Sequence, residues 1–450
     1  MKVIIVGAGI SGLTLAAALA QLAPRIEVEI FERDATAAER RKGYAIGLKG
    51  DSGLAVLERL GLRDEVLATG AQQVTNFVIT DREGSTLLAL PSGNDGPRQT
   101  FRVQRDHLQS VIATALGTTR VQYGYQALGY EAVADRYRVV FTGGRHVDGD
   151  VVIAADGVGS ALRRQLVDDS PHFLGLSAIT GDAALSSEDP LLSGGYFMTL
   201  GDRGDSFFCY QQPGGVHFSY TSHVEPSVLD STSQTNLLRQ VQAATADWHQ
   251  LVRSITAAAD PESIKPRGYY DREPTKSIRD RNLWLIGDAA HPMSPFQGQG
   301  ANTAMLDALA LAELLGSGNL SADADHVAAT IAARGRKAVL ESRRSAHQFH
   351  VTSRFQIMNR NLGFRVANAV INSRLTRRKA AAVTLPAACL PWRHRQARVR
   401  RRSCEGGWEF SRCCRASSVS GRRWRPRVST ALSRYLDILG SHCFRRTTSI

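Results

Sequence analysis

The first 32 residues confine the fold more tightly than any other part of the chain. Lys2–Val6 is a short apolar, β-branched run that reads as a strand, and Gly7-Ala8-Gly9-Ile10-Ser11-Gly12 follows as a GxGxxG turn. Leu13–Leu22 is alanine-rich with a helical pattern, and Val28–Phe31 reads as a second strand that ends at Glu32. Strand, glycine turn, helix, strand and acid in that order are the parts of a βαβ unit that holds a dinucleotide. Gly7 makes the tight turn, Gly9 lets a pyrophosphate approach the backbone, and Gly12 lets the helix pack closely. Glu32, with Arg33 beside it, is placed for a ribose diol, which favours FAD or NAD over NADP in this site. The same start has the look of a secretory leader, yet glycines at fixed offsets and the polar pattern from Glu27 to Asp34 have no role in a cleaved segment. No apolar run reaches the roughly 18 residues that span a bilayer. A soluble, cytoplasmic protein is expected.

Two later segments repeat the theme of an acid at a strand end. Val151–Ala155 is an apolar strand-like run, followed by Asp156-Gly157-Val158-Gly159-Ser160 and then by Ala161-Leu162-Arg163-Arg164, which can start a helix. Leu283–Ile286 is another apolar run; it leads into GDAAHPMSPFQGQG at Gly287–Gly300 and the helical pattern Ala301–Leu315. In open α/β sheets ligands gather at such strand ends. An acid there can hold a ligand hydroxyl, and helix-initiating amides behind Gly298 and Gly300 can face an anion or an electron-rich ring. A polyhydroxylated, partly anionic cofactor fits. Taken singly, either segment also reads as an ordinary turn.

The charge of the chain is divided unevenly. Residues 374–450 hold 19 of the 55 Lys plus Arg and only three of the 42 acids, so the first 373 residues are close to neutral. Five of the six cysteines (Cys389, Cys404, Cys413, Cys414, Cys443) and Trp392, Trp408 and Trp424 also fall in this tail. Three readings stand side by side: an arginine- and tryptophan-rich surface for nucleic acid or another polyanion, a disordered extension, and translation out of the ancestral frame past about residue 376. No nucleic-acid module and no zinc spacing accompany the tail. The body has one cysteine, Cys209, as suits a reduced compartment.

With three separated motifs in order, GAGISG at Gly7–Gly12, ADGVGSALR at Ala155–Arg163 and GDAAHPMSPFQGQGAN at Gly287–Asn302, the chain resembles the single-component FAD-dependent monooxygenases of the para-hydroxybenzoate hydroxylase type. The resemblance covers roughly residues 1–370, and Gly43–Leu62 looks like the tetracycline-inactivating and antibiotic-tailoring branch. It implies an α/β fold: a discontinuous Rossmann-like FAD-binding domain over residues 1–175 and 265–330, and an antiparallel-sheet substrate domain over 176–264 to which 70–100 contribute. C-terminal helices over 331–375 and the tail over 376–450 complete the division. It also implies roles. Gly7, Gly9, Ile10, Ser11 and Gly12 cradle the pyrophosphate, Glu32 takes the adenosine ribose, and Asp288 takes the ribityl chain. Arg105, in an R-x-x-L helix start with Arg102 as a competitor, contacts FAD; Asp156 and Arg163 serve FAD and a transient NADPH (or NADH) encounter. Pro295, Gly298, Gly300, Ala301 and Asn302 border the isoalloxazine ring.

The activity implied is hydroxylation of an aromatic or polyketide-like small molecule with NAD(P)H and dioxygen, through a flavin hydroperoxide. No second GxGxxG is present, which accords with a nicotinamide that binds only briefly. There is no CxxC, no His-rich metal site, and no GxSxG elbow. The alternatives are a reductase or dehydrogenase of the same fold without oxygen insertion, and a catalytically impaired flavin-binding protein. No catalytic side chain is assigned: His291 invites the role of a base, but in the family pattern it belongs to the turn. Ser193–Ser222 reads as glycine-broken antiparallel strands whose aromatics, Tyr196-Phe197-Met198, Phe207-Phe208-Cys209-Tyr210 and Phe218-Ser219-Tyr220, line a planar pocket or form ordinary core. In the C-terminal helices Val339, Phe349, Phe355, Met358 and Leu362 are the expected packing positions.

Overall fold

An apolar strand without alternation has to be covered on both faces. In the computed structural model the runs at Lys2–Val6, Val151–Ala154 and Leu283–Leu285 are such strands, buried along almost their whole length. The structure describes residues 1–383 apart from 41–43, 94–95, 186–188, 190 and 193. A six-stranded sheet runs in the order Arg279–Asp280, Leu283–Leu285, Val151–Ala154, Lys2–Val6, Glu27–Glu32, Val121–Tyr123. All its pairings are parallel except that of Arg279–Asp280 with Leu283–Leu285. The three motif-bearing strands therefore end side by side, and their turns open on one edge.

Helix Ile10–Leu22 starts three residues earlier than the sequence pattern suggests, with Gly9 as N-cap, so Ser11 and Gly12 lie in its first turn. It packs along Gly300–Ser317 against this sheet. Both helices are apolar on most sides, which is why neither shows a clear amphipathic face. Alanine at 16, 17 and 18 keeps the first helix thin enough for the contact.

The second sheet has seven strands, in the order Lys265–Asp271, His172–Ala183, Gly215–Ser222, Ser206–Gln212, Gly195–Leu200, Asn76–Asp81, Thr86–Pro91. It is antiparallel except where Gly195–Leu200 runs parallel to Asn76–Asp81. Helices at 226–257 cover its back and bury Trp248, Leu237, Val252 and Ile255 with the strands' rear side chains.

Two long helices, Leu320–Phe349 and Arg354–Val383, close the body. Val339 and Phe349 are buried as expected, but Phe355, Met358 and Leu362 are exposed. The buried stripe of the last helix is Arg360, Phe364 and Ala367 instead. Arg360 sets that phase: its guanidinium donates to Phe349 O (2.7 Å) and Gly201 O (2.9 Å). This helix crosses the expected boundary at residue 376; the expectations for the tail, from its cysteines to its polyanion-binding reading, lie outside the described residues from 384 onward.

Candidate functional site

Between the two sheets runs one cavity of about 910 Å³. Its first end is mostly backbone. Gly7, Gly9, Ile10 and Ser11 line it at the N-terminus of helix Ile10–Leu22. Gly7 has φ +103°, and a Cβ there would meet Ala155 O at 2.3 Å, so the turn and the neighbouring strand end fit only around glycine. A Cβ on Gly9 would meet nothing within 4 Å: the space above that residue is open to a ligand. Glu32 is buried and accepts hydrogen bonds from Ala8 N (2.8 Å) and Asp34 N (3.1 Å), which fixes it beside the glycine turn. Arg33 also lines the cavity and reaches outward to Asp34.

In its middle the cavity is crossed by polar groups with unused bonding capacity. Asp156 accepts from Ala161 N (3.1 Å) through Oδ2, while its buried Oδ1 has no partner. Burial raises its pKa against the hydrogen bonds from Ser160 and the helix start. Arg105, first residue of helix Arg105–Thr114, carries a buried, unpartnered Nε into the same space. Asp288 projects into the cavity, open to that space and enclosed by the surrounding protein. That enclosure raises its pKa, opposed by His291 and Arg105. Buried polar atoms without partners are uncommon, and here they converge on one volume. Pro295, Gly298, Gly300 and Ala301 complete this wall at the N-terminus of helix Gly300–Ser317. The competitor Arg102 is spent elsewhere: it donates to Gly195 O (3.0 Å), Gln211 O (2.7 Å) and Gln72, and stacks 4.8 Å above Tyr210.

Three of the expected contact residues stand off the cavity wall. Gly12 packs against the turn rather than facing a ligand; a Cβ there would sit 2.0 Å from Gly7 O. Arg163 is wholly buried behind the wall, bonded to Asp169 at 3.0 Å through Nε and 2.5 Å through Nη2, and to the carbonyls of Glu273, Ala289 and Ala290. It ties the Asp156 segment to the turn at Asp288, and its neighbour Arg164 lines the cavity in its place. Asn302 is likewise buried as a clip. Its Nδ2 donates to Gly47 O (2.8 Å) and Gly298 O (3.0 Å), and its Oδ1 accepts from Lys49 N (2.9 Å) and Gly53 N (3.1 Å). His291 lies in a buried cluster with Asp307, which also accepts from Arg334 (3.1 Å) and Gly287 N (3.2 Å). That cluster holds the turn and does not reach the cavity.

The far end is built from side chains. Tyr196 and Met198, Ser206, Phe208 and Tyr210, and His217, Ser219 and Thr221 face the cavity from three adjacent strands. Their alternates Phe197, Phe207, Cys209, Phe218 and Tyr220 fill the core behind. Strand alternation thus divides the aromatic runs cleanly between pocket and core. Tyr44, Phe77, Tyr269, Phe296 and Phe349 close the sides. Burial pushes the Tyr196 hydroxyl up to about 12, so it stays protonated, and raises Tyr210 further. Lys49 enters from strand Ile46–Lys49 and donates to Gln297 O (3.3 Å); burial lowers its pKa. Lys49 and His217 were not anticipated. The polar-apolar alternation of Gly215–Ser222 is the signal that marks His217 as cavity-facing.

These residues fit a dinucleotide that carries a second ring system: glycine cradle and acid at one end, polar middle, apolar chamber beyond. A profile of the family described as FAD binding domain matches residues 1–339. The chain is 30% identical over 318 residues to the 3-amino-4-hydroxybenzoate 2-monooxygenase of Streptomyces cremeus, covering 69% of this chain and 77% of that enzyme. Among solved structures it is similar to Klebsiella pneumoniae HpxO complexed with FAD and uric acid, with a TM-score of 0.72 and 25% identity over 83% of this chain and 95% of that one. The tetracycline destructase Tet(51) shares the fold at a TM-score of 0.57 and 18% identity, over 82% of this chain and 97% of that one.

Proposed function

The chain belongs to the FAD binding domain family and is an FAD-dependent monooxygenase, and from that premise we propose that it hydroxylates a small, planar aromatic or polyketide-like molecule held in the chamber between Tyr196, Phe208, Tyr210 and Phe296. The observation that carries this reading is the continuity of the cavity from Glu32 to that chamber. In this arrangement Glu32 holds the adenosine ribose, the amides of Gly9 to Ser11 face the pyrophosphate, and Asp288 accepts from the ribityl chain. Arg105 and Asp156 bring their unpartnered atoms to the same cofactor. Bound there, FAD supplies electron storage from NAD(P)H and activation of dioxygen. In the proposed division residues 1–171 with 272–330 form the cofactor side, and the strands at 76–91 join 172–271 on the substrate side; the expected boundaries at 175 and 265 move because His172–Ala183 and Lys265–Asp271 both pair within the seven-stranded sheet.

The protein's own contributions are positioning, dryness and charge. The helix N-terminus at Gly300 turns amides and the positive end of its dipole toward the ring-side wall, where negative charge is stabilised. Lys49 adds an amine donor to that wall. Aromatic rows exclude water, and Tyr196, protonated at neutral pH, offers a donor to a substrate oxygen. The relative from Streptomyces cremeus is named for an aminohydroxybenzoate and HpxO was crystallised with uric acid, so both compounds are apt first probes. A cytoplasmic setting is part of the proposal, in keeping with the free, buried Cys209.

The test is oxygen uptake and NADPH oxidation by the FAD-loaded protein, with 3-amino-4-hydroxybenzoate, uric acid and tetracycline supplied separately. Substrate-stimulated uptake with one added oxygen atom in the product, seen by mass with labelled dioxygen, supports hydroxylation. NADPH oxidation with no oxygenated product from an extended aromatic panel returns the protein to the reductase class.

A further inference from the structure

The last helix, Arg354–Val383, carries apolar side chains on two opposite sides, and only one side is covered. Phe364 and Ala367 turn inward, with Phe364 against Phe349 at 6.2 Å. Three polar contacts pin the helix in this phase. Arg360 donates to its two carbonyls, Asn368 Oδ1 accepts from Ala89 N (3.1 Å), and Arg365 pairs with Asp81 (3.1 Å). Facing away are Phe355 (67% exposed), Met358 (58%), Leu362 (58%) and Val366 (41%). Their spacing of three, four and four residues sets them within about 80° of the helix circumference, as a ridge roughly 16 Å long. Single apolar side chains on a surface need no explanation, but four of the ten large exposed ones among the described residues stand in this one row.

Charge decides what can cover the ridge. The helix holds seven Lys plus Arg and no acid, and no acid occurs anywhere between Glu341 and Glu405. Arg354 and Arg365 are both exposed and, at about 100° per residue, lie along the same edge of the ridge. A second copy packed antiparallel on the ridge would set that edge against itself, cation to cation, with no carboxylate of the helix to offset it. The chain beyond residue 383 repeats the excess, with Glu405, Glu409 and Asp437 as its only acids among many arginines. A partner has to combine apolar matter with negative charge, and it has to yield to a convex helix. We propose that the helix lies on an anionic lipid leaflet, with Phe355, Met358, Leu362 and Val366 at the acyl boundary and Arg354 and Arg365 at the headgroups. No helix among the described residues is long and apolar enough to cross a membrane, so the contact runs in the plane of the surface. The inner side of the same helix meets Phe349 of the cavity wall, which sets the leaflet one helix away from the chamber. This binding goes beyond the proposed hydroxylation and does not rest on it.

The experiment mixes the FAD-loaded full chain with phosphatidylcholine vesicles made with or without phosphatidylglycerol and measures bound protein by sedimentation. The wild type is expected to bind the anionic vesicles and to bind the neutral ones far less. Met358→Ser together with Leu362→Ser removes two exposed apolar side chains and should weaken that binding roughly 10- to 100-fold, with flavin content reporting that the double variant is folded. Phe355→Trp separates the ridge from the basic tail. Its added fluorescence should be quenched by lipids brominated on their acyl chains, beyond the quenching seen in the wild type, whose five tryptophans are common to both proteins. The absence of added quenching overturns the assignment, and so does vesicle binding that the double variant leaves unchanged. Wild-type protein that binds neither vesicle, or both equally, also overturns it. Self-association without vesicles that the double variant abolishes gives the ridge to a second copy and has the same consequence. Neither NADPH nor turnover enters these readings, so a failure of oxygen uptake strikes the proposed function alone.

Discussion

Where the cavity meets the six-stranded sheet its wall is backbone: Gly7, Gly9, the first amides of two helices, and carboxylates at strand ends. Where it meets the seven-stranded sheet the wall is side chain, carried at alternate positions of adjacent strands. The first construction suits a ligand whose shape is fixed, because bare backbone can approach it closely but tolerates no added atoms. The second suits a ligand that differs between enzymes, because each wall residue can change size without touching the main chain. In the proposed arrangement one cavity thus joins a rigid cofactor end to an adjustable substrate end.

The comparison predicts its largest effect at the backbone end. Gly12→Val puts a Cβ 2.0 Å from Gly7 O and a branched side chain into the contact that closes the turn. The neighbour is main chain and cannot step aside. The expected outcome is loss of soluble, flavin-containing protein, read from the ratio of flavin to protein absorbance after purification. Full flavin content in a cooperatively melting Gly12→Val protein would mean that the glycine turn relaxes, and the contrast between the two ends would lose its basis.

The next largest effect falls within the side-chain end and sets two adjacent phenylalanines against each other. Phe207 is wholly buried and stacks on Phe218 at 5.3 Å, whereas Phe208 faces the cavity. Phe207→Ala should cost about 3–5 kcal/mol of stability as a core truncation, and Phe208→Ala roughly half of that or less because one side of its ring already borders open space. Phe208→Ala should instead alter which aromatic compounds stimulate oxygen uptake. Chemical denaturation of both variants measures the first difference, and equal losses of stability would erase the distinction between core and pocket rows.

That distinction marks how far the sequence alone reaches. The cofactor end is legible because its parts are contiguous: five features of one βαβ unit occupy 32 residues, and each later acid sits directly after an apolar strand. The substrate end depends on register between segments distant in the chain. Asp182 meets His217 only because two strands pair in one alignment, and Tyr44 reaches them from a loop more than a hundred residues earlier. Arg163 was misplaced for a related reason. Adjacent arginines on a helix start point about 100° apart, and Asp169, six residues on, together with the distant carbonyl of Glu273 decides that Arg163 turns inward and Arg164 toward the cavity. Asn302 follows suit: its amide bonds the segment from Gly47 to Gly53, some 250 residues away in the chain. In the last helix, Arg360 overrides the apolar pattern by bonding two carbonyls and so turns Phe355 and Met358 outward.

The smallest effect is expected where the two ends meet, at Asp288. Its carboxylate stands in the cavity with its pKa raised by enclosure, and His291 and the cavity-lining Arg105 oppose the shift. In the proposed arrangement it accepts a hydrogen bond from the ribityl chain. Asp288→Ala removes the acceptor and leaves a buried hydroxyl unpaired, which weakens FAD binding by about 1–3 kcal/mol, or roughly five- to 150-fold in the dissociation constant. Asp288→Asn keeps an acceptor oxygen and should lie nearer the wild type, though it leaves Arg105 without its counter-charge. Flavin fluorescence on dilution of the holoprotein gives the dissociation constants without recourse to turnover. If both variants bind FAD as the wild type does, the carboxylate does not touch the cofactor; its place in the cavity then belongs to the substrate end, and the boundary between backbone and side-chain construction moves toward the glycine turn.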